Sequence, residues 1–345
     1  MKKNQGFTLI ELILSLALGL IITAAAILLF LTSQKSLSMQ IGVSDVQDNA
    51  NFGLNYLTQD IRLANLNNPK AVINDQTAYG GIVLTSAVNS AKDAANEPLS
   101  NLYKTIVGVT ASTNLLSRSQ GDSVGSGNTW TGASNVQSNG SDIASDQLVI
   151  QYVPQYTIDT KGTATQADDE YIGGTDCEGN NLNFPLASGR QVIVERYFLR
   201  KDANNTTDEP NQPLALACDA GYYPLTGNPT AITRYGDAGE IIMKRVDYFR
   251  VLLNVQGSSG RRYISIHDYL SLTAPRPRIV SVQIGLLTRS LQPVGAEVAI
   301  KDDQKFSVLD QTIIVKKPTN STKKYVRQVI SQTIALRNVI GERGE

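Results

Sequence analysis

Residues 7–31 read Phe7-Thr8-Leu9-Ile10-Glu11-Leu12-Ile13-Leu14-Ser15-Leu16-Ala17-Leu18-Gly19-Leu20-Ile21-Ile22-Thr23-Ala24-Ala25-Ala26-Ile27-Leu28-Leu29-Phe30-Leu31, and they decide the architecture. The run is almost wholly apolar and long enough to cross a bilayer as a helix. Its one ionisable side chain is Glu11. A carboxylate in hydrocarbon costs roughly 2.5–3.5 kcal/mol on insertion scales, so an acid at that depth calls for a partner. The preceding stretch, Met1-Lys2-Lys3-Asn4-Gln5-Gly6, is basic and places the N-terminus on the cytoplasmic side. A cleaved secretory signal would have an apolar core of about 7–15 residues before a small-residue cleavage site. Ala24-Ala25-Ala26 mimics such a site, but apolar residues continue to Leu31, so a retained membrane helix is expected.

The helix is expected to run on past the membrane. Met39, Val43, Val46, Ala50, Leu54, Leu57, Ile61 and Ala64 recur at helical spacing with polar residues between them. No proline interrupts before Pro69. One helix from Phe7 to about Asn65 would be roughly 90 Å long at 1.5 Å per residue. Its outer half, 32–65, would lay the stripe on a globular domain; a coiled-coil stalk is the alternative. Gly42 and Gly53 read as possible bends, since each weakens a helix by about 1 kcal/mol relative to Ala. Asn65-Leu66-Asn67-Asn68-Pro69 ends the helix.

The remainder, 66–345, alternates strand signals with polar loops, and no linker divides it. Strands are expected at Tyr79–Thr85, Tyr103–Val109, Asp146–Val153, Gln191–Leu199, Arg278–Leu287, Leu309–Val315 and Tyr325–Leu336. Glu240–Val255 reads as a strand pair or a helical turn feeding a strand. Ser265 reads as the cap of a short helix through Leu270. The Ser/Gly/Asn-rich stretch 117–145, with the sole tryptophan Trp130, reads as an exposed loop. The fold class is α+β: a long helix packed on an antiparallel sheet with long loops.

Lys and Arg number 31, as do Asp and Glu. Residues 1–172 carry 9 basic and 14 acidic side chains and 173–345 carry 22 and 17, which is not the footprint of a nucleic-acid binder. One histidine and two cysteines argue against a thiolate or imidazole metal centre. His267 with Asp268 beside it is not triad geometry, because adjacency in sequence is not adjacency in space. Asp168-Asp169-Glu170, followed by Asp176 and Glu178, is a weak Ca²⁺ candidate that does not fit the EF-hand pattern; a solvated acidic loop is the plainer reading. Lys316-Lys317 and Lys323-Lys324 read as a solvated hairpin. Neither a Walker A run nor a dinucleotide fingerprint occurs, and no cofactor is expected. Cys177 and Cys218 lie among loop-type residues on the side of the membrane where disulfides persist. A bridge between them is expected, the alternative being two unrelated buried thiols. Closing such a loop would stabilise the fold by about 4 kcal/mol in the chain-entropy picture.

Gly6-Phe7-Thr8-Leu9-Ile10-Glu11 resembles the class III prepilin signal of type IV pilins without a mismatch. The resemblance implies cleavage between Gly6 and Phe7 by prepilin peptidase, N-methylation of Phe7, and a docking role for Glu11 opposite the new amine of a neighbouring subunit. Asn51-Phe52-Gly53-Leu54-Asn55-Tyr56-Leu57 with Asp60-Ile61-Arg62-Leu63-Ala64, then Pro275–Val280, Ile284–Ser290 and Ala335-Leu336-Arg337-Asn338, resemble the PilW family of minor pilins. That likeness implies a non-enzymatic subunit held first in the inner membrane with its domain in the periplasm, then in the pilus tip. Its implied partners are other minor pilins, the major pilin, the inner-membrane assembly platform and a tip adhesin, and the implied outcomes are twitching, attachment and DNA uptake. Two other readings stay open: a large J-like pseudopilin of type II secretion, and a membrane-anchored periplasmic enzyme or binding protein.

Overall fold

The computed structural model describes residues 7–102, 106, 113–162, 166–205, 209–258, 260–294, 300–301, 303–318 and 323–339. The leader 1–6 and, apart from Ile106, the strand expected at 103–109 lie outside them. In chain order the elements are α1 (Leu9–Ile61), β1 (Ala91–Lys92), β2 (Pro98–Leu99), β3 (Val136–Ser138), β4 (Ser141–Asp142), β5 (Leu148–Tyr152), β6 (Thr157–Asp159), β7 (Glu170–Thr175), β8 (Asn181–Pro185), β9 (Gln191–Lys201), β10 (Leu214–Pro224), β11 (Glu240–Lys244), β12 (Val246–Gly257), β13 (Gly260–Ser265), α2 (Ile266–Leu270), β14 (Arg278–Arg289), β15 (Lys305–Val308), β16 (Gln311–Val315) and β17 (Arg327–Ala335). The fold is α+β, with the long helix packed on antiparallel sheets.

Two four-stranded sheets, ordered β11-β10-β9-β5 and β13-β12-β14-β17, carry the core. The outer half of α1 lies against β11 of the first and against β14 and β17 of the second. Leu57 and Ile61 of the helix share one buried cluster with Leu216, Phe249, Ile284 and Ile334 from both sheets. The stretch 240–255 is indeed a strand pair, but its halves belong to different sheets. The chain changes sheet at Arg245, which takes a left-handed φ of 55° and is buried against Asp202 and Glu209.

The helix is 53 residues, about 80 Å. It ends at Ile61, four residues before the expected Asn65, and in the breaker cluster Asn65 and Asn67 take φ of 66° and 54°, a conformation asparagine tolerates better than most residues. Asn338, near the other end of the chain, donates Nδ2 to the carbonyls of Arg62 (3.2 Å) and Ala64 (3.0 Å). The last turn of α1 thus finds its acceptors' partner 276 residues away in sequence.

Three expectations are corrected. Residues 117–145 are an exposed loop only in part: most of 120–128 is exposed as expected, but 117–119, Trp130, Asn135, Val136, Ile143 and Ser145 are buried. Trp130 is 2 % exposed, its Nε1 donates to the carbonyl of Ser145 at 2.8 Å, and β3 pairs with β16. Polar segments can be buried when their backbone groups find partners, and here they do. Cys218 is no loop residue: it sits mid-strand in β10, which pairs along its whole length with β9. The signal was missed because Leu214-Ala215-Leu216-Ala217 is interrupted by Asp219 and Gly221. Finally, Tyr79–Thr85 forms no ladder; Ile82 makes one isolated bridge to Ile150, and Asn101 Oδ1 accepts from the amides of Leu84 (2.9 Å) and Thr85 (3.1 Å).

Asn338→Ala removes both side-chain donors from the helix end. A loss of about 1–2 kcal/mol is expected, since each such bond contributes about 0.5–1.5 kcal/mol. Urea unfolding followed by the fluorescence of Trp130 measures it, and an unchanged midpoint would show the contact to be idle.

Candidate functional site

The helix has two environments. From Phe7 to Leu37 every residue is exposed, and Phe7 itself is 90 % exposed. An uncovered apolar helix of this length can cross a membrane. Three of its hydroxyls are satisfied within the helix: Ser15 donates to the carbonyl of Leu12 (2.9 Å), Thr23 to Gly19 (2.7 Å) and Thr32 to Leu28 (2.8 Å). That arrangement suits a medium with no water to supply acceptors.

Phe7 and Glu11 stand at the N-terminal end, while Gly6 lies outside the described residues. Thr8 is the N-cap of α1, and Glu11, three residues on, closes a capping box. Thr8 Oγ1 accepts from the Glu11 amide at 3.3 Å, and Glu11 Oε2 accepts from the amide and hydroxyl of Thr8, both at 2.9 Å. The carboxylate therefore already satisfies the first turn of its own helix and sits against the positive end of the helix dipole.

Further along, the helix is seated by a narrow face. Gly42, Val46, Ala50, Gly53, Leu57 and Ile61 are buried, while Met39, Val43 and Leu54 of the expected stripe are half-buried at its margin. Gly42 and Gly53 are not bends, for the helix passes through both unbroken. They are the points of closest approach: a Cβ on Gly42 would lie 2.5 Å from Val294 Cγ1, and one on Gly53 2.5 Å from Met243 Cε. Asn49 mimics a strand beside β11, donating to the carbonyl of Lys244 (2.8 Å) and accepting from its amide (3.3 Å).

A buried polar chain ties the helix to the sheet and to the disulfide. Cys177 and Cys218 are bonded, with Cα atoms 6.2 Å apart, joining the β7–β8 turn to β10. Tyr56 donates to the carbonyl of Cys177 at 3.0 Å. The Tyr197 hydroxyl lies 3.1 Å from Asp60 of α1 and 2.8 Å from Glu195 of β9. Glu195 also accepts from Tyr152 (3.0 Å) and from the Cys177 amide (3.1 Å). Burial, and then the charge of Asp60, push the Glu195 carboxyl up. Burial also pushes Asp60 up, opposed by its bond to Tyr197.

The remaining candidates are scattered. Glu170 pairs with Lys161 at 3.1 Å, and Asp168, Asp169 and Glu170 do not converge as a metal-ligating group among the described residues. His267 Nδ1 is 2.8 Å from Asp122, whereas Asp268 bonds Ser265 at the cap of α2. Lys316 pairs with Asp142 at 2.9 Å. Sequence reasoning missed the buried charges of the strands: Arg196 with Asp219, and Arg289 with Glu209 and Asp247. The available signal was the Glu195-Arg196 pair inside an otherwise apolar strand.

Residues 196–338 match the family described as Type IV Pilus-assembly protein W, and residues 1–27 match the prokaryotic N-terminal methylation motif. No curated protein matches the chain. Among solved structures it is similar to the Type IV-like pilin TTHA1219 from Thermus thermophilus, at 13 % identity and a TM-score of 0.25 over 56 % of this chain and 78 % of that one. So slight a likeness carries no argument.

The raised carboxyls set a pH dependence. Below the ordinary Glu value of 4.5, Glu195 is protonated in both folded and unfolded chains and costs nothing. As pH rises from there towards its higher folded value, the unfolded chain holds fewer protons than the folded one, so stability falls. The urea midpoint should therefore drop between about pH 5 and pH 8, at up to roughly 1 kcal/mol per pH unit. Glu195→Gln should remove at least half of that slope; an unaltered slope would assign it elsewhere.

Proposed function

Since the chain belongs to the type IV pilin family, as a member of the PilW type, we propose that it is a minor pilin of the complex that primes pilus assembly at the tip. It is a structural subunit rather than an enzyme. The observation that carries the reading is the contrast along α1. Its outer half is seated in the domain, while its first 29 described helical residues, Leu9–Leu37, have nothing over them. Such a helix needs a second apolar environment. The bilayer supplies one before assembly, and the helices of neighbouring pilins supply another afterwards.

In this reading the chain divides into a leader 1–6, a membrane part 7–31, an amphipathic part 32–65 and a periplasmic β-rich domain 66–345. Prepilin peptidase cuts after Gly6, and Phe7 becomes the methylated N-terminus. Cleavage leaves the capping box of Thr8 and Glu11 intact, because both lie beyond the cut. Glu11 then meets the amine of an adjacent subunit. A positive amine and a carboxylate taken into an apolar bundle are each costly alone and tolerable together, and removing one partner costs about 3–5 kcal/mol. Other minor pilins, the major pilin, the inner-membrane platform and a tip adhesin are the partners this role requires. Twitching, attachment and DNA uptake are the processes it serves.

N-terminal mass spectrometry of the native chain should find methyl-Phe7, and replacing Gly6 should leave the leader uncut. A mature chain of normal length from the Gly6 variant would defeat the assignment. Glu11→Gln separates two roles, since glutamine still closes a capping box but carries no charge. It should be cleaved normally yet impair piliation as severely as Glu11→Ala; normal piliation would remove the charge from the mechanism. Loss of protein secretion with intact pili, on deletion of the subunit, would point to a type II secretion pseudopilin instead.

A further inference from the structure

Each cysteine of the Cys177–Cys218 bridge is followed by an acid, Glu178 and Asp219. The disulfide therefore holds two carboxylates side by side. A third arrives from the loop before β11: carboxylate oxygens of Glu178, Asp219 and Asp237 all lie within 4.8 Å of one another. The loop is fixed there by close backbone approach. Gly239 has a φ of 59°, and a Cβ on it would fall within bonding range of the Cys218 carbonyl oxygen, so it must stay glycine. The carbonyl of Asp237 also accepts from Arg196 Nη2 at 2.8 Å.

Glu178 Oε2 accepts from Asn180 Nδ2 at 3.2 Å and Asp237 Oδ1 from the Gly239 amide at 2.7 Å, while the buried Arg196 pairs with Asp219. Arg196 bonds only Oδ2 of Asp219, through Nε (2.9 Å) and Nη2 (2.7 Å), and the Gly236 amide donates to the same oxygen at 2.9 Å. Asp219 is fully buried, and its Oδ1 has no hydrogen-bond partner among the described residues. A buried carboxylate oxygen without a partner beside two further carboxylates is a vacancy for positive charge. Glu178 is half-buried and Asp237 exposed, so the group opens to solvent on one side.

We propose that Glu178, Asp219 and Asp237 bind a hard divalent cation, Ca²⁺. The ligands are all oxygens, and three carboxylates binding through one or two oxygens each approach the six to eight that Ca²⁺ takes, with water completing the shell. Arg196 pairs with Asp219 alone, and a divalent ion would balance the two carboxylates beside it. The ion clamps the β7–β8 turn, β10 and the loop before β11 together beside the disulfide. The helix end shares that region, because Tyr56 bonds the Cys177 carbonyl.

The test is calorimetric titration and thermal unfolding of the full, disulfide-intact chain in detergent, with Ca²⁺, with Mg²⁺ and with EGTA. Half-saturation by Ca²⁺ is expected on the order of 0.1–1 mM, as in extracellular modules. At tenfold excess Tm should rise by about 2–4 °C and fall back with EGTA. Asp237→Asn changes an exposed group, and Glu178→Gln a half-exposed one, so each leaves the Arg196–Asp219 pair intact; each should weaken binding about tenfold or more. Silence towards Ca²⁺ up to about 10 mM, as when a water molecule satisfies Oδ1, would overturn the proposal. So would preference for Mg²⁺, or equal affinity in both variants. Piliation plays no part in this measurement, so its outcome is distinct from that of the assembly experiments.

Discussion

Among the described residues, a helix about 80 Å long is held to its domain by its outer half, and most of the structure answers to that constraint. The lever is long and the seat is short, so the seat must be stiff. Close approach at Gly42 and Gly53 brings the helix axis near the strands, and the side chains of Val294 and Met243 fill the space the glycines leave. Dispersion contacts are individually small and fall away steeply with a gap, so such approach multiplies their number. Leu57 and Ile61 then enter a core built from two sheets rather than one. Apolar burial of a full aliphatic side chain contributes about 1.5–3 kcal/mol, which is large against the marginal stability of a domain.

The polar chain beneath the helix end adds direction to that adhesion. Apolar contacts alone tolerate rotation and sliding. The hydrogen bonds that Tyr56 donates to the Cys177 carbonyl and Tyr197 to Asp60 and Glu195 do not, because each demands one geometry. Two acids close to one another in the interior are an expensive way to obtain it. Burial pushes both carboxyls up, tyrosine hydroxyls surround them, and the disulfide beside them keeps the β7–β8 turn in place. The same region holds the crowded carboxylates next to Arg196.

The helix, its membrane half, its breaker and several strands could be read directly, because each rests on local periodicity or on one conformational demand. An apolar run of this length has few alternatives, and Asn65 and Asn67 adopt the left-handed region for a local reason. Burial of part of 117–145, around Trp130 and β3, could not be read. Polar composition is a proxy for exposure, and it fails when backbone groups find partners in distant segments, as Trp130 does at Ser145 and β3 does at β16. Strand β10 was hidden by Asp219 and Gly221, and Asp219 is there for Arg196 on the neighbouring strand. The Ca²⁺ candidate illustrates the same limit. The contiguous acids 168–170 are separate, whereas Glu178 meets Asp219 and Asp237 from two other segments.

Sequence by itself determined the N-terminal motif: the basic leader, Gly6-Phe7, Glu11 and the length of the apolar run are contiguous and need no fold to be recognised. It also determined the α+β class, through the two periodicities of helix and strand. Tertiary structure alone decided where that helix is seated, that its glycines are contact points, which acids converge and that Asn338 closes the helix end. The reason is physical. Periodicity is a property of neighbours along the chain, whereas close approach and convergence of charge are properties of segments hundreds of residues apart, and only packing brings them within reach.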